Sequence, residues 1–294
     1  MKLGLVGNLE KKELPQIVQK LLQEVKTEFL IVEPLAKAVK RSGRKLSTRN
    51  ATIVSERKLL AKAEMVIALG GDGTILRTAR FVGARAIPIL GINLGKLGFL
   101  AEVSVEELES CVEDVLNGRY TVEERMMLQA TSQGLQSPFF ALNDVVVDKY
   151  GTSRVMHIET YVNKEYLATY SADGIIVSTP TGSTAYSLAN GGPIVAPESR
   201  AVTINPICPH TLTARPVIIP DDSVVSIRIS QASQKVHLTA DGQSEKLFRP
   251  PVTFTVKKAP FNAKLVKRLN TSYYDVLRKK LNWGSDVRIN PKGS

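Results

Sequence analysis

Asp72 stands in the stretch Met65 to Arg77, which reads MVIALGGDGTILR. The apolar run from Met65 to Leu69 has the length of a buried strand. It breaks into Gly70, Gly71, Asp72 and Gly73, and Thr74 opens a helical spacing with Ile75, Leu76 and Ala79 on one side. A strand that ends in glycines just before a helix is where α/β folds bind phosphate. The helix start offers unpaired N–H groups and partial positive charge, and glycine lets phosphate approach the backbone. A carboxylate beside phosphates is repelled unless a metal, a cation or a reacting hydroxyl compensates it. Asp72 is therefore the first candidate for chemistry.

Two further polar clusters flank apolar runs. Asn143-Asp144 lies between Phe139-Phe140-Ala141-Leu142 and Val145-Val146-Val147. Such a pair is costly inside an apolar run unless it turns the chain or faces a cleft. The third cluster is Asp173-Gly174 followed by Ser178 to Tyr186, STPTGSTAY. Its hydroxyls and N–H groups at a helix start make either an ordinary cap or an anion site. Three such clusters in one chain favour a phosphorylated ligand.

Other chemistries are poorly served. There is no G-x-x-x-x-G-K-[ST] sequence, and the G-x-G-x-x-G fingerprint fails because Leu76 stands where its third glycine belongs. The chain's three histidines, His157, His210 and His237, are too few for a His-rich metal cage. No G-x-S-x-G elbow occurs.

The elements that would position these clusters fall into two textures. Up to about residue 115, strands alternate with helices, which predicts a parallel sheet covered by helices. Expected strands are Lys2 to Val6, Phe29 to Val32, Met65 to Leu69 and Ile87 to Leu90. Expected helices are Glu13 to Lys26, Leu35 to Val39, Glu56 to Ala63, and Ser104 to Leu116 from the capping-box pair Ser104 and Glu107. Gly43 to Ser55, with the turn formers Ser47, Thr48 and Asn50, is expected as a mobile loop. Gly91 to Leu100 is a second glycine-rich connection. From Tyr120 to Val256 the segments are short and rich in Val, Ile, Thr and Tyr, as in an antiparallel two-layer β domain. They include Ala141 to Val147, Val155 to Val162, Gly174 to Ser178 and Val252 to Val256. One helix is expected there, after Thr184. Ser272 to Leu281 returns to helical spacing. The domains are thus 1–117 (α/β), 118–265 (β-rich) and a segment 266–294 that returns to the first.

The 294 residues, 43% hydrophobic and 23% charged, suit a soluble globular protein. No apolar run approaches the roughly 20 residues that span a bilayer, and the start is too short in apolar residues for a signal peptide. Cys111 and Cys208 lack metal-ligand spacing and read as reduced core thiols, which places the protein in the cytoplasm. The net charge of +11 attracts anions. Its basic residues are scattered without interleaved aromatics, so phosphorylated small molecules are favoured over nucleic acid.

Gly70-Gly71-Asp72-Gly73-Thr74 resembles the signature shared by NAD kinases, diacylglycerol-type lipid kinases and phosphofructokinases. Asn143-Asp144 and Ser178 to Tyr186, continued by Gly191-Gly192-Pro193, resemble the other two motifs of bacterial NAD kinases. Cys208 to Pro216, CPHTLTARP, and Asp241-Gly242-Gln243 also match that family. The resemblance implies an α/β domain and a β domain holding substrates between them, and transfer of the γ-phosphoryl of ATP to the 2′-hydroxyl of the adenosine ribose of NAD. Asp72 would be the general base and could also touch Mg²⁺, which the substrate phosphates would mainly hold. Gly73 would let the NAD pyrophosphate approach. Asn143 and Asp144 would bind adenosine and ribose hydroxyls. Asp173 and the turn Thr184, Ala185, Tyr186, Ser187, Leu188 and Ala189 would line the dinucleotide site. Arg77 and Arg154 would meet phosphate or the new 2′-phosphate, and Gln243 would reach the ligand from a later strand. Inorganic polyphosphate is an alternative donor, on which Ser171 does not decide. His210 and His237 read as structural. The resemblance also implies a homodimer or homotetramer. Competing readings are a lipid kinase of the same superfamily and a non-catalytic nucleotide- or RNA-binding module.

Overall fold

The computed structural model describes residues 1–44, 46, 49–95, 98–101, 103–151, 155–231, 235–269 and 272–283. The chain forms two compact units. One comprises Met1–Glu124 with Lys264–Ser294, the other Arg125–Ala263.

The first unit alternates strand and helix. Its elements are β1 (Lys2–Gly7), α1 (Leu14–Glu24), β2 (Glu28–Val32), α2 (Glu33–Arg41), β3 (Ala51–Val54), α3 (Glu56–Lys62), β4 (Met65–Gly70), α4 (Asp72–Val82), β5 (Ile89–Asn93), β6 (Val103–Ser104) and α5 (Leu108–Leu116). The strands run parallel in the order β3-β2-β1-β4-β5. Helices cover a sheet whose central strands are apolar on both faces, and β4 is buried along its whole length. α1 turns Leu14, Ile17, Val18, Leu21 and Leu22 inward, the stripe expected from its spacing.

Two expectations fail here. The stretch Gly43 to Ser55, expected as a loop, contains β3, an edge strand whose Thr52 and Ile53 are exposed; an edge strand buries too little to show alternation. Lys45, Ser47 and Thr48 of that stretch lie outside the described residues. The helix expected from Ser104 starts at Leu108 instead. Glu107 does accept from the Ser104 amide at 3.2 Å, but Ser104 ends β6 and pairs with Asn93 of β5. Sheet pairing outcompetes the cap.

The second unit holds two packed antiparallel layers. β7 (Tyr120–Thr131) leads in. β8 (Phe139–Ala141), β9 (Asp144–Lys149), β10 (Met156–Val162), β11 (Glu165–Ala172) and β12 (Gly174–Ser178) follow, then a 3₁₀ turn Thr181–Thr184, α6 (Tyr186–Ala189), β13 (Ala201–Ile207), β14 (Val217–Pro220), β15 (Val225–Ile229), β16 (Val236–Ala240), β17 (Ser244–Phe248) and β18 (Val252–Arg268). One layer runs β14-β13-β12-β9-β16-β17, and the other contains β11-β10-β15-β18 with β7 and β8. Val145, Val147, Ile175, Val177, Leu238, Ile227 and Phe254 share the core between them. Val146, Ile176 and Ile207 form a separate apolar cluster, as the two-residue period of β9 and β12 requires.

The expected strand Ala141 to Val147 is broken at Leu142-Asn143 into β8 and β9. The expected Val252 to Val256 is only the start of β18, whose last residues join the first unit; Leu265 pairs with Ile89 of β5. α7 (Tyr273–Leu281) closes the described chain and is capped by Ser272. Cys111 is buried, and burial raises its thiol pKa to about 11. Cys208 is exposed, against expectation, because it follows the end of β13 with a left-handed φ of 45°. Among the described residues no helix is long and apolar enough to cross a membrane.

Candidate active site

Asp72 is the first residue of α4, with Gly71 at the N-cap. A carboxylate in the first turn is favoured by the exposed N–H groups and the helix dipole. The connection after β5 closes over it. The amide of Phe99 donates to Oδ2 at 2.8 Å, and those of Leu100 and Ala101 donate to Oδ1 at 3.1 and 3.0 Å. Successive amides converging on one anion form a nest. This is why the second glycine-rich connection exists: a Cβ on Gly98 would stand 1.8 Å from Asp72 Oδ1. Lys96 and Leu97 of this connection lie outside the described residues. Its anchors are the amide of Leu94, donating to Gly70 at 2.9 Å, and the Asn93 side chain, accepting from Gly95 at 3.0 Å. Lys280 of α7 places its ammonium 5.8 Å from the Phe99 ring centre. The sequence pointed to the connection but not to its grip on Asp72.

Gly73 is exposed on the same turn, and Arg77 follows it on α4. Arg77 Nη2 donates to the Gly7 carbonyl at the end of β1, at 3.1 Å. A guanidinium has five N–H donors, so one bond of this kind positions it without using it up.

The second unit assembles its own cluster around the break between β8 and β9. Asn143 sits in that break and Asp144 starts β9. The Thr179 amide and the Ser178 hydroxyl donate to the Asn143 carbonyl at 2.9 and 3.4 Å, and the Thr179 hydroxyl donates to that of Leu142 at 2.6 Å. The segment Ser178 to Thr184 is thereby tied directly to Asn143. Contact is so close that a Cβ on Gly182 would stand 2.1 Å from the Asn143 carbonyl oxygen. Asp241, in the turn between β16 and β17, locks the same break from another side: its carboxylate accepts from the amides of Leu142, Asn143 and Asp144 at 3.1, 2.8 and 3.3 Å.

Among the described residues, two buried oxygens in this cluster, Asn143 Oδ1 and Thr181 Oγ1, have no hydrogen-bond partner, although buried polar atoms are usually paired. The Asp144 carboxyl is buried, and its pKa is raised to about 7, by desolvation first and by the neighbouring Asp241 charge second.

The remaining expected residues are placed as follows. Asp173, between β11 and β12, pairs with Lys149 at 2.5 Å. Thr184 ends the 3₁₀ turn, Ala185 links it to α6, and Tyr186, Ser187, Leu188 and Ala189 make up α6, a single turn. Ser187 is buried and held by Asn205, whereas Tyr186 is 45% exposed. Gln243 lies in the β16–β17 turn and not on a strand as expected. Arg154 lies outside the described residues. The structure thus groups Asp72, Gly73 and Arg77 on one helix, and Asn143 and Asp144 with the Ser178 to Thr184 segment.

His237 stands on β16 between Asp148, with Nδ1 at 3.3 Å, and Glu245, with Nε2 at 3.1 Å. Burial raises the Asp148 carboxyl, while His237 opposes that shift. Asp148 and Glu245 face His237 only through strand pairing, which sequence spacing does not reveal. Ser171 contacts His157 Nδ1 at 3.0 Å, and the His210 amide donates to the Ser171 carbonyl at 2.8 Å.

Residues 3–120 match the family model of the ATP-NAD kinase N-terminal domain, and residues 142–268 match that of the ATP-NAD kinase C-terminal domain. The chain belongs to the NAD kinase family. A NAD kinase of Bacteroides fragilis is 40% identical over 294 residues, covering 98% of this chain and 100% of the relative. One from Geobacter metallireducens is 47% identical over 225 residues, covering 76% and 80%. Among solved structures, yeast NADH kinase complexed with NADH has a TM-score of 0.88 at 23% identity, covering 97% of this chain and 88% of its own. An NAD kinase from Archaeoglobus fulgidus in complex with ATP has a TM-score of 0.73 at 24% identity, covering 96% and 99%. Those two likenesses speak to the NAD kinase fold.

Proposed function

We propose that the chain transfers the γ-phosphoryl of ATP to the 2′-hydroxyl of the adenosine ribose of NAD, giving NADP and ADP. The observation that carries this reading is Asp72, a carboxylate presented at a helix start on a glycine turn, in a chain that matches the family along both halves. Phosphoryl transfer asks the protein for positioning, charge neutralisation and a group that takes the hydroxyl proton. Asp72 takes that proton. The carboxylate needs a lone pair to do so: the amides of Leu100 and Ala101 bond Oδ1 and that of Phe99 bonds Oδ2, which leaves Oδ2 a further acceptor site for the proton.

Asn143 and Asp144 accept from the ribose hydroxyls and pair the adenosine. Support for this is the orphaned Asn143 Oδ1 and the tightly bound segment below it. Asp173, the turn from Thr184 to Ala189, and Gln243 line the dinucleotide. Gly73 admits its pyrophosphate, and Arg77 and Arg154 meet phosphate. Magnesium enters as part of the substrate, MgATP, neutralising the β- and γ-oxygens.

Assembly into a homodimer or homotetramer belongs to the same reading, supported by exposed apolar side chains such as Leu212 and Ile218 in the second unit. Light scattering on the purified chain tests it. Two free cysteines suit a reducing, cytoplasmic setting. The decisive assay is NADP formation from NAD, Mg²⁺ and either ATP or polyphosphate. Asp72→Asn is expected to lower kcat at least about a hundredfold while leaving NAD binding nearly intact. Full activity in that variant would remove Asp72 from the base role. A lipid kinase would instead put the label from ATP into a lipid extract.

A further inference from the structure

The connection that grips Asp72 is anchored where it leaves β5, through Leu94 and Asn93. Farther along, the Gly98 amide donates to the Ala101 carbonyl at 3.2 Å, a turn that closes on itself. Leu100 is buried yet lines a cavity of about 140 Å³ with Val103, Val266 and Leu269. Atoms beside a void lack contacts on that side, so packing alone holds Leu100 weakly. Phe99, whose amide serves Asp72 Oδ2, is only half-buried.

α7 reaches this turn from the end of the described chain. Val276 and Leu277 are its buried residues, and side chains three and four positions away share a helix face. Lys280 stands four positions from Val276 and three from Leu277, on the docked side. It is half-buried, whereas Arg278 and Lys279 are exposed. Asp275, the acid of this helix, pairs with Arg278. Among the described residues no carboxylate pairs with Lys280; its ammonium lies over the Phe99 ring, 5.8 Å from the ring centre. That is within the range of cation–π attraction, which strengthens as the cation loses water.

We propose that Lys280 is a positioning residue for phosphoryl transfer: its ammonium holds the Phe99 ring, and the ring holds the amide that orients Asp72 Oδ2. The assignment rests on the kinase reading above and adds a residue of the last helix to it. Oδ2 carries one amide bond and keeps an acceptor site for the substrate proton, so its direction matters most. Without the cation the ring can swing, the Phe99 amide leaves Oδ2, and the carboxylate turns about its own bond. Substrate binding does not pass through this contact, so the loss falls on the chemical step.

The test uses the full chain and initial rates of NADP formation, varying one substrate with the other saturating. Lys280→Met keeps the stem and removes the charge. It is expected to lower kcat about fivefold, with KM for ATP and for NAD within about twofold and Tm unchanged. Lys280→Arg keeps a cation over the ring and is expected to recover most of that loss. Phe99→Leu is expected to lower kcat by a similar factor, and Lys280→Met is expected to add nothing further in that background, since the two residues act as one unit. Parent kcat in Lys280→Met would overturn the assignment. So would losses that multiply in the double variant, or an arginine variant as slow as the methionine one. A raised KM for ATP with kcat preserved would make Lys280 a ligand contact, and a lowered Tm in step with kcat would make it only part of the docking of α7; either also overturns it. Absence of NADP formation by the unmodified chain would instead bring down the kinase reading, and this assignment with it.

Discussion

Gly98 has no room for a side chain while Asp72 holds its present position. Gly98→Ala therefore forces either the carboxylate out of the nest or the connection away from the carboxylate. Overpacking of this kind costs about 1–3 kcal/mol. Expected results are a lower Tm and a kcat reduced at least about tenfold, with KM for ATP less affected. A variant indistinguishable from the parent in both would show that the amide nest has no part in placing Asp72. Asp144 makes a different prediction, about pH. Unfolded, an aspartate titrates near 3.9; in the fold Asp144 titrates at about 7. Between those values the folded chain keeps a proton that the unfolded chain has released, so this group's effect on stability worsens as pH rises from about 4 to about 7. Asp221 works in the opposite sense, its carboxyl held low chiefly by Lys258, so the comparison must be between variants. Asp144→Asn removes the titration. Its stability relative to the parent should rise between pH 5 and pH 8 by an amount on the order of 2–4 kcal/mol. Thermal unfolding at the two pH values measures it, and a constant difference would mean that Asp144 is not buried against its charge.

At the scale of elements, what the sequence disclosed tracks how completely each element buries one face. β1, α1, β2 and β4 are strongly periodic or continuously apolar and are found nearly where expected. β3 was hidden because it buries only Val54, and the long end of β18 because Lys257, Lys258, Lys264 and Lys267 interrupt its apolar residues. The candidate site divides likewise. Asp72, Asn143, Asp144 and the Ser178 to Thr184 segment announce themselves as polar residues beside apolar runs. The support around them does not. Asp241 is singled out only by the resemblance of Asp241-Gly242-Gln243 to the family, which does not reveal that its carboxylate satisfies three amides around the break between β8 and β9. Asp241→Ala leaves those amides without that acceptor, at a cost of about 2–4 kcal/mol. It should also lower the Asp144 pKa, since the Asp241 charge is one of the two causes of its rise. Denaturant unfolding reads the first effect, and a carboxyl titration by NMR reads the second. Loss of stability without movement of the Asp144 titration would assign that rise to burial alone.

Across the whole molecule, the excess of 39 Lys+Arg over 28 Asp+Glu is the feature that no single site explains. Its basic residues are scattered along the sequence, so the charge acts as a long-range field more than as a binding stripe. Such a field draws anions toward the surface and speeds encounter without adding a contact. The two proposed substrates differ in how strongly they should feel it. MgATP carries more negative charge than NAD. Exposed charges more than about 10 Å apart are largely screened at 0.1 M salt. Raising ionic strength from about 0.02 to about 0.5 M should therefore lower kcat/KM for ATP by roughly tenfold and that for NAD by clearly less, with kcat itself little changed. Salt that acted by unfolding or by breaking a specific ion pair would not sort the substrates by charge. Equal losses for both, or a fall confined to kcat, would show that the net charge has no role in capture and serves only solubility.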